Sequence, residues 1–217
     1  MRIQIPKYEE QSIKAVSDLE FVSQSSPFLE RDDYRPLFAN HNSNRKWLAK
    51  NKDQSEIVGH TDVGDSVWYY ENEKMGSFHY YIMNKTETLV IYVVRCELVD
   101  VPKVGKTVCQ TSLWRDTDYY STVSVPSWVF YNKLMPKYGL ILSDKSQSKD
   151  GRAFWVRRIA EAFRLHYYVY VVDTRKDLKI IQIKTGEEYD SEWAKRLWST
   201  TDQEYQKVRI LISKTLI

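Results

Sequence analysis

Between Ser66 and Arg115 the chain is built of four short apolar or aromatic runs separated by turn-forming residues, and this spacing predicts an antiparallel meander. The runs are Val67–Glu71, Phe78–Met83, Leu89–Val99 and Val108–Arg115, with turns at Asn84–Glu87 and Pro102–Lys106. In the third run Val90, Tyr92, Val94, Cys96 and Leu98 alternate with residues that include Arg95 and Glu97. A period of two is that of a strand with one side turned to a core. Aromatic residues favour such strands, and the chain holds 16 Tyr, 7 Trp and 7 Phe. Tyr and Trp also suit half-wet surfaces, so a stacking or partner surface stands beside the plain reading of a strand-rich core.

After the meander the pattern changes. Pro126 suits the first residue of a helix, where its missing N–H breaks no hydrogen bond, and that helix is expected to run to about Lys137 and stop at Gly139. Leu140–Ser143 reads as a short buried strand. Gly151–Leu165 is the clearest helix, with Val156, Ile159, Ala160 and Phe163 on one face and Arg157, Arg158, Glu161 and Arg164 on another. Tyr167–Val172 and Lys179–Ile183 read as a strand pair, Ser191–Trp198 as a short helix and Val208–Ile212 as the last strand. A meander followed by a helix-strand-helix crossover is an α+β arrangement with a mixed, mostly antiparallel sheet. Residues 1–65 read as a helical extension or lid on a 66–217 domain, with helices near Glu9–Val22 and Arg45–Lys52 and a turn-rich run at Ala39–Asn44.

The order of elements over residues 66–217 resembles the acetyltransferase-like (GNAT) fold, including diverged, phage-encoded members. In that family the fourth strand leads into a helix whose start binds the pyrophosphate of acetyl-CoA, and the fifth leads into a helix that supports the acyl end. The segment from Ser148 to Trp155 is similar to the family's Asn-x-x-Ala-x-x-Phe-Tyr motif, with Ser148, Gly151, Phe154 and Trp155 at its marked positions. The resemblance implies an acyl-CoA-dependent acyltransferase or a relative with altered or lost catalysis. It also implies acetyl-CoA as cofactor, held by Ser124, Ser127, Ser148 and Trp155. The chain departs from the family at two points. Trp155 stands where a tyrosine serves as general acid, and indole does not donate a proton in that role. Residues Arg115 to Pro126 contain no glycine but include Asp116, Asp118, Tyr119 and Tyr120, whereas the family's loop uses glycines to bring backbone N–H groups to phosphate.

A second function class rests on charge. The net charge is +3, but residues 126–166 hold eight Lys or Arg against three Asp or Glu, a local +5 (8 − 3). Lys145, Lys149, Arg152, Arg157, Arg158 and Arg164, near Trp155 and Tyr167, could pair with phosphates or an acidic protein partner while the rings stack on bases. This reading makes the chain a non-enzymatic nucleic-acid- or protein-binding protein, and a solvated helix face is its plain alternative.

Other chemistry finds little footing. His41, His60, His79 and His166 are scattered, without metal-ligand spacing, and His60 with Asp62 and Asp65 fits a polar turn better than a cation site. Gly-x-Ser-x-Gly and Gly-x-x-x-x-Gly-Lys motifs are absent. Asp144 follows a buried strand and precedes a helix, the edge where ligands gather in open α/β sheets, and it reads as a base or as a loop acid. Cys96 and Cys109 lie on neighbouring predicted strands and read as reduced, packed thiols. The absence of a leader-like segment or a spanning apolar run points to a soluble, cytoplasmic protein.

Overall fold

The structure is a computed structural model that describes residues 52–61, 64–72, 76–86, 89–116, 125–145, 149–198 and 207–217. The expected helix at Glu9–Val22, and all but the last residue of that at Arg45–Lys52, lie outside the described residues. The expected four-stranded meander is present and is extended at its start. β1 (Ser55–His60) pairs antiparallel with β2 (Ser66–Asn72), followed by β3 (Ser77–Met83), β4 (Val90–Val101) and β5 (Gly105–Arg115). Among the described residues the sheet therefore starts at Ser55, ahead of Ser66 where the sequence texture changes.

A helix, α1, follows in three continuous stretches, Val125–Val129, Phe130–Leu134 and Met135–Tyr138, the middle one widened into a π turn. Pro136 explains the widening. It has no N–H to give, and its ring crowds the carbonyl four residues back. The Met135 N–H accordingly reaches five residues back to the Phe130 carbonyl. Gly139 ends the helix with φ 72°, and its N–H closes on the Met135 carbonyl. β6 (Leu140–Ser143), α2 (Lys149–Arg164), β7 (Tyr168–Asp173) and β8 (Lys179–Ile183) follow. A third helix, α3, comprises Gly186–Glu188, Tyr189–Trp193 and Ala194–Leu197, and β9 (Val208–Ser213) closes the fold.

The nine strands form one sheet in the order β1-β2-β3-β4-β5-β6-β9-β7-β8. Among the described residues only β5 and β6 pair in parallel, Val108 to Ile141 through Gln110 to Ser143. Every other pairing is antiparallel, with β9 inserted between β6 and β7. The architecture is thus α+β on a mixed, mostly antiparallel sheet. No described helix is long and apolar enough to cross a membrane.

All three helices lie over one face of the sheet. Val129, Phe130 and Leu134 of α1, Phe154, Trp155 and Ile159 of α2, and Trp193 and Leu197 of α3 share a core with Phe78, Tyr80, Ile82, Tyr92, Val94 and Cys96. Burying a large apolar side chain is worth about 1.5–3 kcal/mol, so this layer dominates the packing. The other face has its own clusters, one of Trp68, Tyr70, Tyr81, Met83, Val90, Val93 and Trp114 and one of Val101, Leu142, Tyr170, Val172 and Leu211. The sheet is therefore apolar on both sides. β3 is buried along its whole length, and β4 from Val90 to Cys96.

The sequence expectation that Val90 and Tyr92 share a face is corrected by a bulge. Ile82 pairs with Tyr92 while Met83 pairs with Val90, leaving Ile91 as an extra residue that moves Val90 to the second face. Beyond the core β4 emerges, and Leu98 is 50% exposed.

Gly139 isolates a backbone effect. A Cβ built there meets nothing within 4 Å, so only its positive φ resists substitution. Gly139→Ala is expected to lose about 1–2 kcal/mol and to lower the Tm by roughly 2–8 °C, as measured by thermal denaturation.

Candidate functional site

Arg158 is the most buried charge in the described chain, with 0% exposure. It leaves α2 toward α1, on the same stripe as Phe154 and Glu161. Its guanidinium lies 5.0, 5.7 and 5.9 Å from the ring centres of Phe154, Tyr131 and Phe130. One terminal nitrogen donates to Ser127 Oγ, and the other stands 3.1 Å from Glu161 Oε2. Ser127 in turn donates to Glu161 Oε1 at 3.1 Å, and Tyr131 donates its hydroxyl to the Arg158 carbonyl at 2.9 Å. Burial pulls the Arg158 pKa down, and Glu161 opposes it. The rings and the carboxylate together replace the water this cation has lost.

The structure places several of the sequence-derived site residues. Ser127 lies in the first turn of α1, and its hydroxyl is engaged by Arg158 and Glu161. Trp155 is packed edge-on against Phe130 and Phe154 at 6.0 and 5.5 Å, in the interior. Ser124 and Ser148 lie outside the described residues, and Lys149 is described only as the first residue of α2.

The six basic residues do not form a single face. Arg158 points inward, which corrects its expected place on a surface patch. Arg157 is half-buried, 3.7 Å from Glu161. Lys145, Arg152 and Arg164 are exposed, but Arg152 and Arg164 stand about 18 Å apart along α2 at 1.5 Å per residue. On α1 the lysines pack against the meander. Lys133 donates to the Val58 carbonyl at 2.8 Å, and Lys137 sits 4.2 Å from the Tyr69 ring centre.

A different constellation forms at the carboxyl end of the parallel pair. Cys109 of β5 pairs in register with Leu142, and its thiol points to the Ser143 carbonyl at 3.7 Å. Ser143 Oγ accepts the Ile210 N–H at 3.0 Å and donates to the Asp144 carbonyl at 3.3 Å. Asp144 follows directly. The residue keeps some exposure, yet its Oδ1 is enclosed and has no hydrogen-bond partner. Burial raises the Asp144 pKa well above the usual carboxylate range, against the pull of Arg209. Burial first, and the Asp144 charge second, push the Cys109 thiol up to about 12, which makes it a poor nucleophile. Cys96 lies in the helix-side core, so the two free thiols occupy opposite faces of the sheet.

The turn carrying His60 and Asp65 is a polar turn. Thr61 accepts the Gly64 N–H through its carbonyl and the Asp65 N–H through its hydroxyl, while Asp62 lies outside the described residues. Among the described residues no group of three or more metal-ligating side chains occurs. No protein-family model matches the sequence, and neither a curated protein nor a solved structure is similar to it.

The Arg158 cluster joins α1 and α2 by a buried charge. Arg158→Met and Glu161→Gln are each expected to destabilise the protein by about 3–5 kcal/mol, because each leaves one buried partner uncompensated. In chemical denaturation the double variant Arg158→Met/Glu161→Gln should lose less than the sum of the single losses, by about 1–3 kcal/mol.

Proposed function

We propose that this chain is a diverged GNAT-like protein that binds an acyl-coenzyme A at the edge where β5 and β6 run in parallel, with altered or lost catalysis. One observation carries the reading: the sheet order. A meander ends in β5, α1 crosses to the parallel neighbour β6, α2 crosses onward, and the last strand inserts between β6 and β7. The order meander, helix, strand, helix supports the reading, which takes β5 and β6 as counterparts of the family's fourth and fifth strands. Ligands of sheets with parallel strands gather outside the carboxyl ends of those strands, and here that edge carries Cys109, Ser143 and Asp144.

Two features argue for altered chemistry. The segment from Asp116 to Pro126 lacks the glycines that let backbone amides close on a pyrophosphate. At the position of the family's tyrosine acid stands Trp155, which is enclosed by Phe130 and Phe154 and has no proton to supply. The reading as a basic nucleic-acid-binding face has less behind it, since Arg158 is interior and Arg157 is engaged by Glu161.

Calorimetric titration with acetyl-CoA, with desulfo-CoA as control, tests the proposal. One-to-one binding of both with a Kd of about 1–100 μM is expected. Absence of heat with acetyl-CoA at about 1 mM, alongside salt-sensitive binding of single-stranded DNA, would replace it with the nucleic-acid reading.

A further inference from the structure

The face of the sheet turned away from the helices carries two rows of large side chains across β2, β3, β4 and β5. One row runs Trp68, Tyr81, Val93 and Trp114, each the register partner of the next. The row beside it runs Tyr70, His79, Arg95 and Ser112 in the same way. Within the rows Trp68 and Tyr81 stack at 5.9 Å, and the Tyr70 and His79 rings also lie 5.9 Å apart. Met83 and Val90 extend the apolar part, and every member of that cluster comes from these four strands.

Neighbours in such rows cover each other's flanks and leave their outer sides turned away from the sheet. An antiparallel sheet can leave one face in water, but this face is dry. Tyr81 is 0% exposed, His79 and Arg95 are 4% exposed, and Trp68 and Trp114 are 6% exposed, all within a single copy of the chain. Since α1, α2 and α3 pack on the opposite face, the cover comes from outside the described residues.

Length and place select one segment. Four strands are about 14 Å across. The stretches 62–63, 73–75, 87–88 and 146–148 are too short to cross them, at about 3.6 Å per residue. The stretches 117–124 and 199–206 are tied to α1 and α3, on the helix side. Residues 1–51 are long enough, and they end in the right place. The turn Lys52–Gln54 follows them and enters β1, whose Ser55 is the register partner of Tyr70 at the rim of the patch. Their sequence also offers a matching surface, because Ala15, Val16, Leu19 and Val22 recur at helical spacing. The helix expected at Glu9–Val22 would be about 21 Å long, enough to cross the four strands.

We propose that residues 1–51 dock on the helix-free face of β2 to β5, with the Ala15, Val16, Leu19 and Val22 stripe over the row from Trp68 to Trp114. The patch is then an internal docking surface that gives the sheet a third layer, not a platform for a partner. Arg95 fits under such a stripe because its charge is already met by Glu97 at 2.8 Å. The placement is independent of acyl-CoA binding at the far edge of β5.

Paramagnetic broadening in the full chain tests it. A nitroxide is attached in turn at Ser17→Cys, opposite the apolar stripe, and at Ser43→Cys. Cys96 and Cys109 are buried with their thiols held protonated, so the label goes to the new cysteine. The indole N–H signals of Trp68 and Trp114 are expected to be lost in at least one variant, while those of Trp128 and Trp198 on the helix side persist. In a mixture of nitrogen-15 chain without nitroxide and spin-labelled chain without nitrogen-15, all four signals should persist. Trp68 and Trp114 signals that survive in both variants overturn the proposal. So does their loss in the mixture, which would assign the patch to a second copy of the chain.

Discussion

A single guanidinium, that of Arg158, is enclosed between the two helices that cross the sheet from β5 to β6 and from β6 onward. A bare cation in such a place would be strongly destabilising. It is tolerated because Glu161 neutralises it, Ser127 accepts from it, and the rings of Phe130, Tyr131 and Phe154 surround it. Each partner comes from α1 or from the next turns of α2, so the cluster forms only when both helices lie over the same face. The register of α1 against α2 is thereby fixed.

The aromatic excess is mainly absorbed by the sheet. Tyr80 and Tyr92 face the helices while Tyr81 and Trp68 stack at 5.9 Å on the other side. Because both faces carry large rings, no alternation survives along β3, and β4 alternates only after its bulge. Rings that fill two cores are not free to stack on bases. Polar side chains gather instead at the edge where the parallel pair ends. There the Cys109 thiol points to the Ser143 carbonyl, and the Ser143 hydroxyl donates to the Asp144 carbonyl.

Much of this was legible in the residues. The apolar runs of the meander, Pro126 and Gly139 around α1, and the period of α2 carry their own local signals, and each element lies within a few residues of its expected place. β1 gave no such signal, since it is half-exposed with a bulge between Ile57 and Gly59, and its pairing depends on β2. The insertion of β9 between β6 and β7 is a long-range pairing that no local pattern encodes. Arg158 was the harder lesson. An arginine next to Arg157 on a helix reads as surface, and only its spacing from Phe154 and Glu161 hints otherwise. Asp144 could be placed at a strand end from sequence, but its enclosed Oδ1 emerges only from the fold.

The account turns on Arg158 being held, charged and dry, inside an aromatic box. Nitrogen-15 NMR of its side chain measures that directly. The Nε and terminal N–H protons are expected to appear as resolved signals at neutral pH, shifted upfield by the ring faces and protected from solvent exchange for far longer than those of the exposed Arg152 and Arg164. Arg158 signals that exchange as fast as those two, at ordinary guanidinium shifts, would contradict the account.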